Sequence, residues 1–328
     1  MPNLRTSVTE LLNIRHPILL APMNACSGGE LASAVTEAGG LGLIGGGVAD
    51  EDWLKAEYTK VGNTQVGVGF ITWLLAERPE ALKVAMDHEP SAIMLSFGDH
   101  TPFVDTIKNA DIPLICQVQT VEQAVHAAST GADLIVAQGQ EAGGHGMTTR
   151  GTMALVPAIV DAVGSEVPIV AAGGIADGRG LAAAVMLGAG GVLMGTRFIA
   201  AQESIYSDTR KSAIVDATGD QTVRSEVFDI LRRGSPWPAQ FNGRALRNKN
   251  VERWLGNAAK LYENLDAERT RFTEADAKDD LSAGVLWAGE SVDLVHEVLP
   301  AREILQRTVS KAIEVLTGNE SYTVIGAP

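Results

Sequence analysis

Eight short apolar runs, each followed by a stretch with helical periodicity, recur along the N-terminal part of this 328-residue chain. The runs are Ile18–Ala21, Leu41–Ile44, Val66–Phe70, Ala92–Leu95, Pro113–Cys116, Leu134–Ala137, Pro168–Ala172 and Gly191–Met194. Four or five apolar residues in a row, without polar alternation, read as strands buried on both faces, which is the condition of a parallel sheet. Between them lie helical patterns at Glu30–Ala38, Glu51–Val61, Pro79–Asp87, Phe103–Asn109, Val121–Ser129, Met153–Val163 and Gly180–Leu187. In the first of these Leu31, Ala34, Val35 and Ala38 share one side, and Asp177 is placed to cap the last. Strands and helices alternating at a spacing of about 25 residues make βα units. Eight in series predict an α/β fold, a (β/α)8 TIM barrel, because an open doubly wound sheet more often stops at five or six strands.

The rhythm breaks from about Ser204 to Ala283, where charge rises (Arg232-Arg233, Asp276 to Asp280) and no clear strand is seen. Helical patterns at Val251–Leu265 predict a mainly helical excursion after strand eight, placed to act as a lid over the barrel mouth. Trp287-Ala288-Gly289-Glu290 brings the chain back. Pro300–Leu316, with Ile304, Leu305, Val309, Ile313 and Leu316 on one side, predicts a closing helix. The expected division is a barrel made of 1–203 and 284–328, with 204–283 as the excursion.

A formal charge of −14 argues against nucleic acid and anionic membrane as partners, since both need a basic footprint. Cys26 and Cys116 have no metal-binding spacing and suggest no disulfide framework. Pro17–Met23 is too short for a secretory segment, no run approaches the ~18 apolar residues of a membrane span, and the last residues Ile325–Pro328 match no sorting signal. A soluble, cytoplasmic protein is expected.

Polar residues gather where strands six, seven and eight end. After Leu134–Ala137 comes Gln138-Gly139-Gln140-Glu141-Ala142-Gly143-Gly144-His145-Gly146, a histidine beside bare backbone at the face where parallel α/β folds bind ligands. His145 is thus either a site residue or a satisfied loop histidine. Ala171–Ile175 and Met194–Arg197 put Gly173, Gly174, Gly195 and Thr196 at the other two ends. In barrels this pair of loops commonly holds a phosphate on backbone N–H groups, although glycines also serve simply to turn the chain. Asn24, Gln117 and Gln138 end strands one, five and six. Amides both donate and accept, which suits the edge of a flavin ring; each alone reads better as a loop cap, and together with a phosphate site they outline a cofactor across the barrel mouth. Gly40-Leu41-Gly42-Leu43-Ile44-Gly45 matches the dinucleotide-binding glycine pattern but has its strand inside the motif and a helix before it. Tight helix-to-strand packing explains it better. Glu141 and His145 alone do not make a metal site, and His16, His88, His100, His126 and His296 have no motif around them.

Ala21-Pro22-Met23, the 138–146 stretch, the run from Ala171 to Ala189 and Met194–Phe198 resemble the nitronate monooxygenases, formerly called 2-nitropropane dioxygenases. The resemblance covers nearly the whole chain, including Trp287–Ser291 and the final helix. It implies non-covalent FMN, with the phosphate on Gly173, Gly174, Gly195 and Thr196. The isoalloxazine would lie near Ala21, Pro22, Met23, Asn24, Gln117 and Gln138, with Gly143 and Gly144 allowing close approach. His145 matches the catalytic histidine, which as a neutral imidazole can take the α-proton of a nitroalkane. The implied partners are a nitronate or nitroalkane and O2, and the resemblance allows a homodimer. NAD(P)H-dependent reductases of quinones or enoyl thioesters share the barrel and form the alternative reading; a barrel that has lost catalysis and serves as a scaffold is a third. Gln117 stands where some relatives carry lysine, and Met147 is not the commonest residue at its position. Both departures bear on the substrate more than on the cofactor.

Overall fold

The computed structural model describes residues 3–232 and 236–318. Arg233 and the terminal Ile325–Pro328, both considered above, lie outside this range. All eight apolar runs form parallel strands. In chain order they are β1 (Ile18–Leu20), β2 (Leu43–Gly45), β3 (Gly67–Ile71), β4 (Ile93–Ser96), β5 (Leu114–Val118) and β6 (Leu134–Gln138). A short β7 (Gly144–Gly146) intervenes before β8 (Ile169–Ala172) and β9 (Gly191–Met194) complete the eight. Each barrel strand pairs with its neighbour in the order β1-β9-β8-β6-β5-β4-β3-β2. The ring closes at Leu41, whose N–H donates to Ile18 (3.0 Å) and whose carbonyl accepts from Leu20 (2.9 Å).

Side-chain alternation divides the core in two. Leu19, Leu43, Met94, Ile115, Leu134, Val136, Val170, Ala172 and Leu193 pack together inside the ring. Their neighbours Ile18, Leu20, Ile44, Val68, Phe70, Ile93, Leu95, Cys116, Ile135 and Val192 join the layer under the helices. Gln117 follows Ile115 by two and Gln138 follows Val136 by two, so a two-residue period carries both amides to the inward face at the carboxyl end. The same end is crowded by glycine. A Cβ on Gly45 would meet the backbone of Met23 and Asn24, and one on Gly69 would meet the Pro22 ring. The loop after β1 therefore lies against the mouth because β2 and β3 have no side chains there.

The glycine pattern at 40–45 is packing. The helix Gly29–Glu37 precedes it, β2 lies inside it, and a Cβ on Gly42 would run into the backbone of Ala32. Asp177 caps the helix Gly178–Met186, accepting from the N–H groups of Arg179 (2.9 Å) and Gly180 (3.3 Å). The final helix, Ala301–Gly318, packs on that helix and on Gly29–Glu37, burying Ile304, Leu305 and Val309.

The stretch after β9 differs from its expectation in one respect. Among the described residues of 204–283, besides five α-helices and one 3-10 turn, there are two strands, β10 (Thr222–Ser225) and β11 (Asn242–Leu246). They form an antiparallel sheet in the order β10-β11-β7, so that β7, from the loop after β6, is its third strand. Val227, Phe228, Leu231, Val251, Trp254, Leu261 and Phe272 give this stretch its own small core. Among the described residues no helix is long and apolar enough to cross a membrane.

Replacing Gly42 with alanine should test the helix–strand contact. Overpacking of this kind costs about 1–3 kcal/mol, and urea unfolding should show the loss as a lower midpoint with an unchanged slope.

Candidate functional site

A cavity of about 610 Å³ opens at the carboxyl end of the barrel. Its walls include all thirteen residues singled out from the sequence: Ala21, Pro22, Met23, Asn24, Gln117, Gln138, Gly143, Gly144, His145, Gly173, Gly174, Gly195 and Thr196. The volume falls within the range of about 300–1,000 Å³ usual for small-molecule sites.

His145 owes its position to the small sheet. It pairs across β7 with Gly243 of β11, and a Cβ at Gly243 would collide with the Trp287 ring. Its imidazole stacks on Trp237 with centroids 3.6 Å apart and planes 6° from parallel, and Trp287 lies tilted at 4.9 Å. Nε2 lies 2.7 Å from Asp229 Oδ1, and the two side chains are only 8% and 11% exposed. Because a carboxylate only accepts, Nε2 carries the proton and Nδ1 the lone pair. Burial pushes the His145 pKa below its ordinary value; Asp229 opposes the shift, while Arg232 and Arg224 add to it. The result is a neutral ring with one directed proton and a basic nitrogen that, among the described residues, makes no hydrogen bond. Such a group can accept a proton from a bound molecule.

The loop behind the histidine is stapled by two arginines. Arg224 Nη2 donates to the carbonyls of Gln140 and Ala142 (both 2.9 Å), and Nη1 donates to Asn242 (2.6 Å) and Gly146 (3.3 Å). Burial lowers its pKa to about 10, and the nearby Arg244 charge acts in the same direction. Arg244 also reaches Gln140, and pairs with Glu290 at 2.7 Å. Glu141 has no part with His145. Its carboxylate accepts from the Thr152 N–H (2.9 and 3.0 Å) and hydroxyl (3.1 Å), capping the helix Thr152–Val163. The amides form a chain. Gln138 Nε2 donates to the His145 carbonyl (3.1 Å), while its Oε1 accepts from Gln117 (3.2 Å) and Gln119 (2.8 Å).

On the opposite wall Gly173 and Gly174 have φ of +101° and +72°, a backbone that favours glycine. Among the described residues, none of the N–H groups of Gly174, Ile175, Gly195 and Thr196 donates to another protein group. The Thr196 hydroxyl accepts from Gly289 N–H at 2.9 Å. Gly143 and Gly144 differ in what they allow. A Cβ on Gly143 would strike the Ala288–Gly289 backbone, whereas Gly144, at φ +67°, has nothing within 4 Å of that position. Gly143 is therefore fixed by packing and Gly144 by conformation and open space.

Several wall residues carried no signal in the sequence. Asp229 lies 84 positions from His145 and has no motif of its own. Trp73, Phe97 and Trp237 of the wall form a run of edge-on aromatic contacts, which Phe241 extends through Phe97 and Trp237. Phe97 holds a φ of +64°, uncommon for a bulky side chain and a mark of local constraint. A tryptophan count would have flagged aromatic wall material, although not its location.

Arg224→Ala should leave buried carbonyls of the 140–146 loop without a donor, at a cost of about 1–3 kcal/mol. Arg224→Lys should recover only part of it, because one ammonium cannot reproduce the planar fork. Thermal unfolding of both variants is the check.

A family model for nitronate monooxygenase matches residues 5–65 and 63–311. A nitronate monooxygenase of Neurospora crassa is 31% identical, over 92% of this chain and 90% of its own. The Mycobacterium tuberculosis (3aS,4S,5R,7aS)-5-hydroxy-7a-methyl-1-oxo-octahydro-1H-indene-4-carboxyl-CoA dehydrogenase is 34% identical, over 94% and 96%. Among solved structures, FabK of Thermotoga maritima superposes with a TM-score of 0.84 at 32% identity, over 98% of this chain and all of that one. A barrel with a buried basic histidine at its mouth and a family match across both its ends leads to one assignment: the chain belongs to the nitronate monooxygenase family of flavin-dependent oxidoreductases.

Proposed function

We propose that the protein binds FMN across the barrel mouth and oxidises nitronates and nitroalkanes with O2, with His145 as the base. The observation that carries the reading is the state of His145: buried, neutral, and fixed by Asp229 through one nitrogen so that the other is free. The wall fits the cofactor. Among the described residues the N–H groups at 174–175 and 195–196 have no protein acceptor and suit a phosphate, and the open left-handed Gly144 leaves room for a flat ring. Gln117, held by Gln138 through its Nε2, would offer its amide oxygen toward a ring edge. Bound FMN would supply the electron acceptor, which O2 then regenerates.

The rest is done by the chain. His145 takes the α-proton of a neutral nitroalkane on Nδ1, and the Asp229 carboxylate together with the Trp237 face stabilises the imidazolium that forms. The tryptophans and Phe97 exclude water from the mouth. A substrate already ionised as the nitronate needs no proton removed. We also propose that residues 204–283 act as one unit over the mouth, since they supply both Asp229 and Trp237.

The similarity to FabK and to the indene-carboxyl-CoA dehydrogenase favours one alternative, an NAD(P)H-dependent reductase of quinones or thioesters, in which the nicotinamide would dock over the flavin. Anaerobic mixing separates the two. Fast bleaching of the flavin band by propionate-3-nitronate, with slow bleaching by NADH, is expected here; the reverse order would move the protein to the reductases.

His145→Ala should keep its FMN and lose turnover of neutral nitroalkanes by about 10²–10⁴-fold, the usual contribution of a general base. Activity on the preformed nitronate should fall less, and equal losses would remove the base assignment. Protonated His145 cannot act as base, so activity on neutral substrate should fall on the acid side. Because burial lowers the His145 pKa, the fall should come below pH 6.5 and leave the neutral range flat, as read from kcat/KM against pH. At Gly195 a Cβ would sit 3.4 Å from Met23 Sδ, so the further carbons of Gly195→Val must enter the cavity. That variant should bind FMN more weakly by about tenfold or more, since a displaced phosphate loses charge-assisted bonds. An unchanged FMN Kd would refute the placement.

A further inference from the structure

A second group of chemically active side chains lies away from the residues assigned above. Asp99 and His100 follow β4 and lead into the helix Thr101–Lys108, while His126 stands on the helix Val121–Ser129. A carboxylate oxygen of Asp99 and one ring nitrogen from each histidine lie within 4.8 Å of one another. His100 is buried, whereas Asp99 and His126 are exposed. We propose that Asp99, His100 and His126 bind a divalent transition-metal ion of the Zn²⁺, Co²⁺, Ni²⁺ or Cu²⁺ class.

The hydrogen bonding around His100 suits a metal ligand. Thr130 Oγ1 lies 2.8 Å from the His126 carbonyl and gives its single proton to the helix. Its oxygen can then accept from His100 Nε2 at 2.7 Å. This leaves the lone pair on Nδ1, so a metal ion bound by His100 would take that nitrogen while Thr130 orients the ring through the other. Asp99 already accepts from the Thr101 N–H at 3.0 Å and brings the one negative charge of the set.

The spacing is close to that required. Asp99 Oδ1 and His126 Nε2 are 4.0 Å apart, and the two rings meet at 61° with centroids 5.4 Å apart. Bonds of about 2.0–2.2 Å to a tetrahedral ion place donors about 3.3–3.6 Å from one another. The two exposed side chains have solvent on their outer sides and can close that difference by rotation, while His100 stays fixed. Two imidazoles and one carboxylate select the borderline metals over Mg²⁺ and Ca²⁺, which prefer oxygen throughout. Three protein ligands leave the remaining position to water. Phe97, two residues before Asp99, lines the cavity, so an ion here would tie that wall to the helix Val121–Ser129.

Calorimetric titration of the full-length protein with Zn²⁺, after dialysis against a chelator, tests the site. One equivalent should bind. His126→Ala and Asp99→Ala should each weaken it by about tenfold or more, an effect of the size seen even for residues outside the ligand set. Both positions are exposed, and unchanged melting temperatures would show that the variants fold. Binding should be unaffected by His145→Ala and by millimolar Mg²⁺. No binding by the parent protein would overturn the proposal, as would parent-like binding by both variants or loss of binding on changing His145.

Discussion

The pairing of Gly144–Gly146 with β11 is the constraint on which the site depends. A loop leaving the end of a barrel strand is ordinarily held by its own turns. Here an antiparallel ladder from a stretch about a hundred residues later holds it, and the Arg224 guanidinium satisfies carbonyls of that loop and of β11. Arginine suits this position because its planar fork serves several acceptors and stays charged even when burial lowers its pKa to about 10. The sheet fixes the backbone of His145, and Gly243 makes room for the Trp287 ring, which lies tilted 4.9 Å from the imidazole.

Opposing effects on His145 set its chemistry. Removing the ring from water disfavours its charged form, whereas the carboxylate 2.7 Å away favours it. Burial dominates, so the resting ring is neutral. Asp229 still directs the proton to Nε2, and it becomes more valuable as positive charge develops on the imidazole. In the proposed role, a base of this kind would be competent at rest and stabilised further only once it had acted, which is the condition for lowering a barrier rather than merely tightening binding.

Much of this was legible in the sequence. The barrel strands appear as unbroken apolar runs because both of their faces are buried, and Gln117 and Gln138 stand out because they interrupt that apolarity at an inward position. The histidine and the glycine loops that line the cavity lie next to strand ends, so local order reveals that they share a face. The strands β10 and β11 do not show, because Thr222–Ser225 and Asn242–Leu246 mix charged and small residues and are stabilised by partners far along the chain. Their partner in β7 is Gly-His-Gly, which has almost no strand propensity of its own. Asp229 and Trp237 were invisible for the same reason, since their role is defined only once the excursion folds back.

Glycine in this protein answers to two requirements that sequence alone does not separate. At Gly42, Gly45, Gly69 and Gly143 the missing side chain lets another backbone or ring approach, and any Cβ would meet protein. At Gly144 a Cβ would meet nothing, and at Gly195 it would make only ordinary contacts. A motif such as Gly143-Gly144 can thus join one residue that belongs to the fold with one that belongs to the cavity. Substitution should follow that division: changes at the packing glycines act on stability, because the clash exists in the folded chain itself. Changes at Gly195 act on what the cavity can hold, because the space they fill is not the protein's own. Gly144 combines both, its left-handed backbone straining any other residue while its open face points into the site.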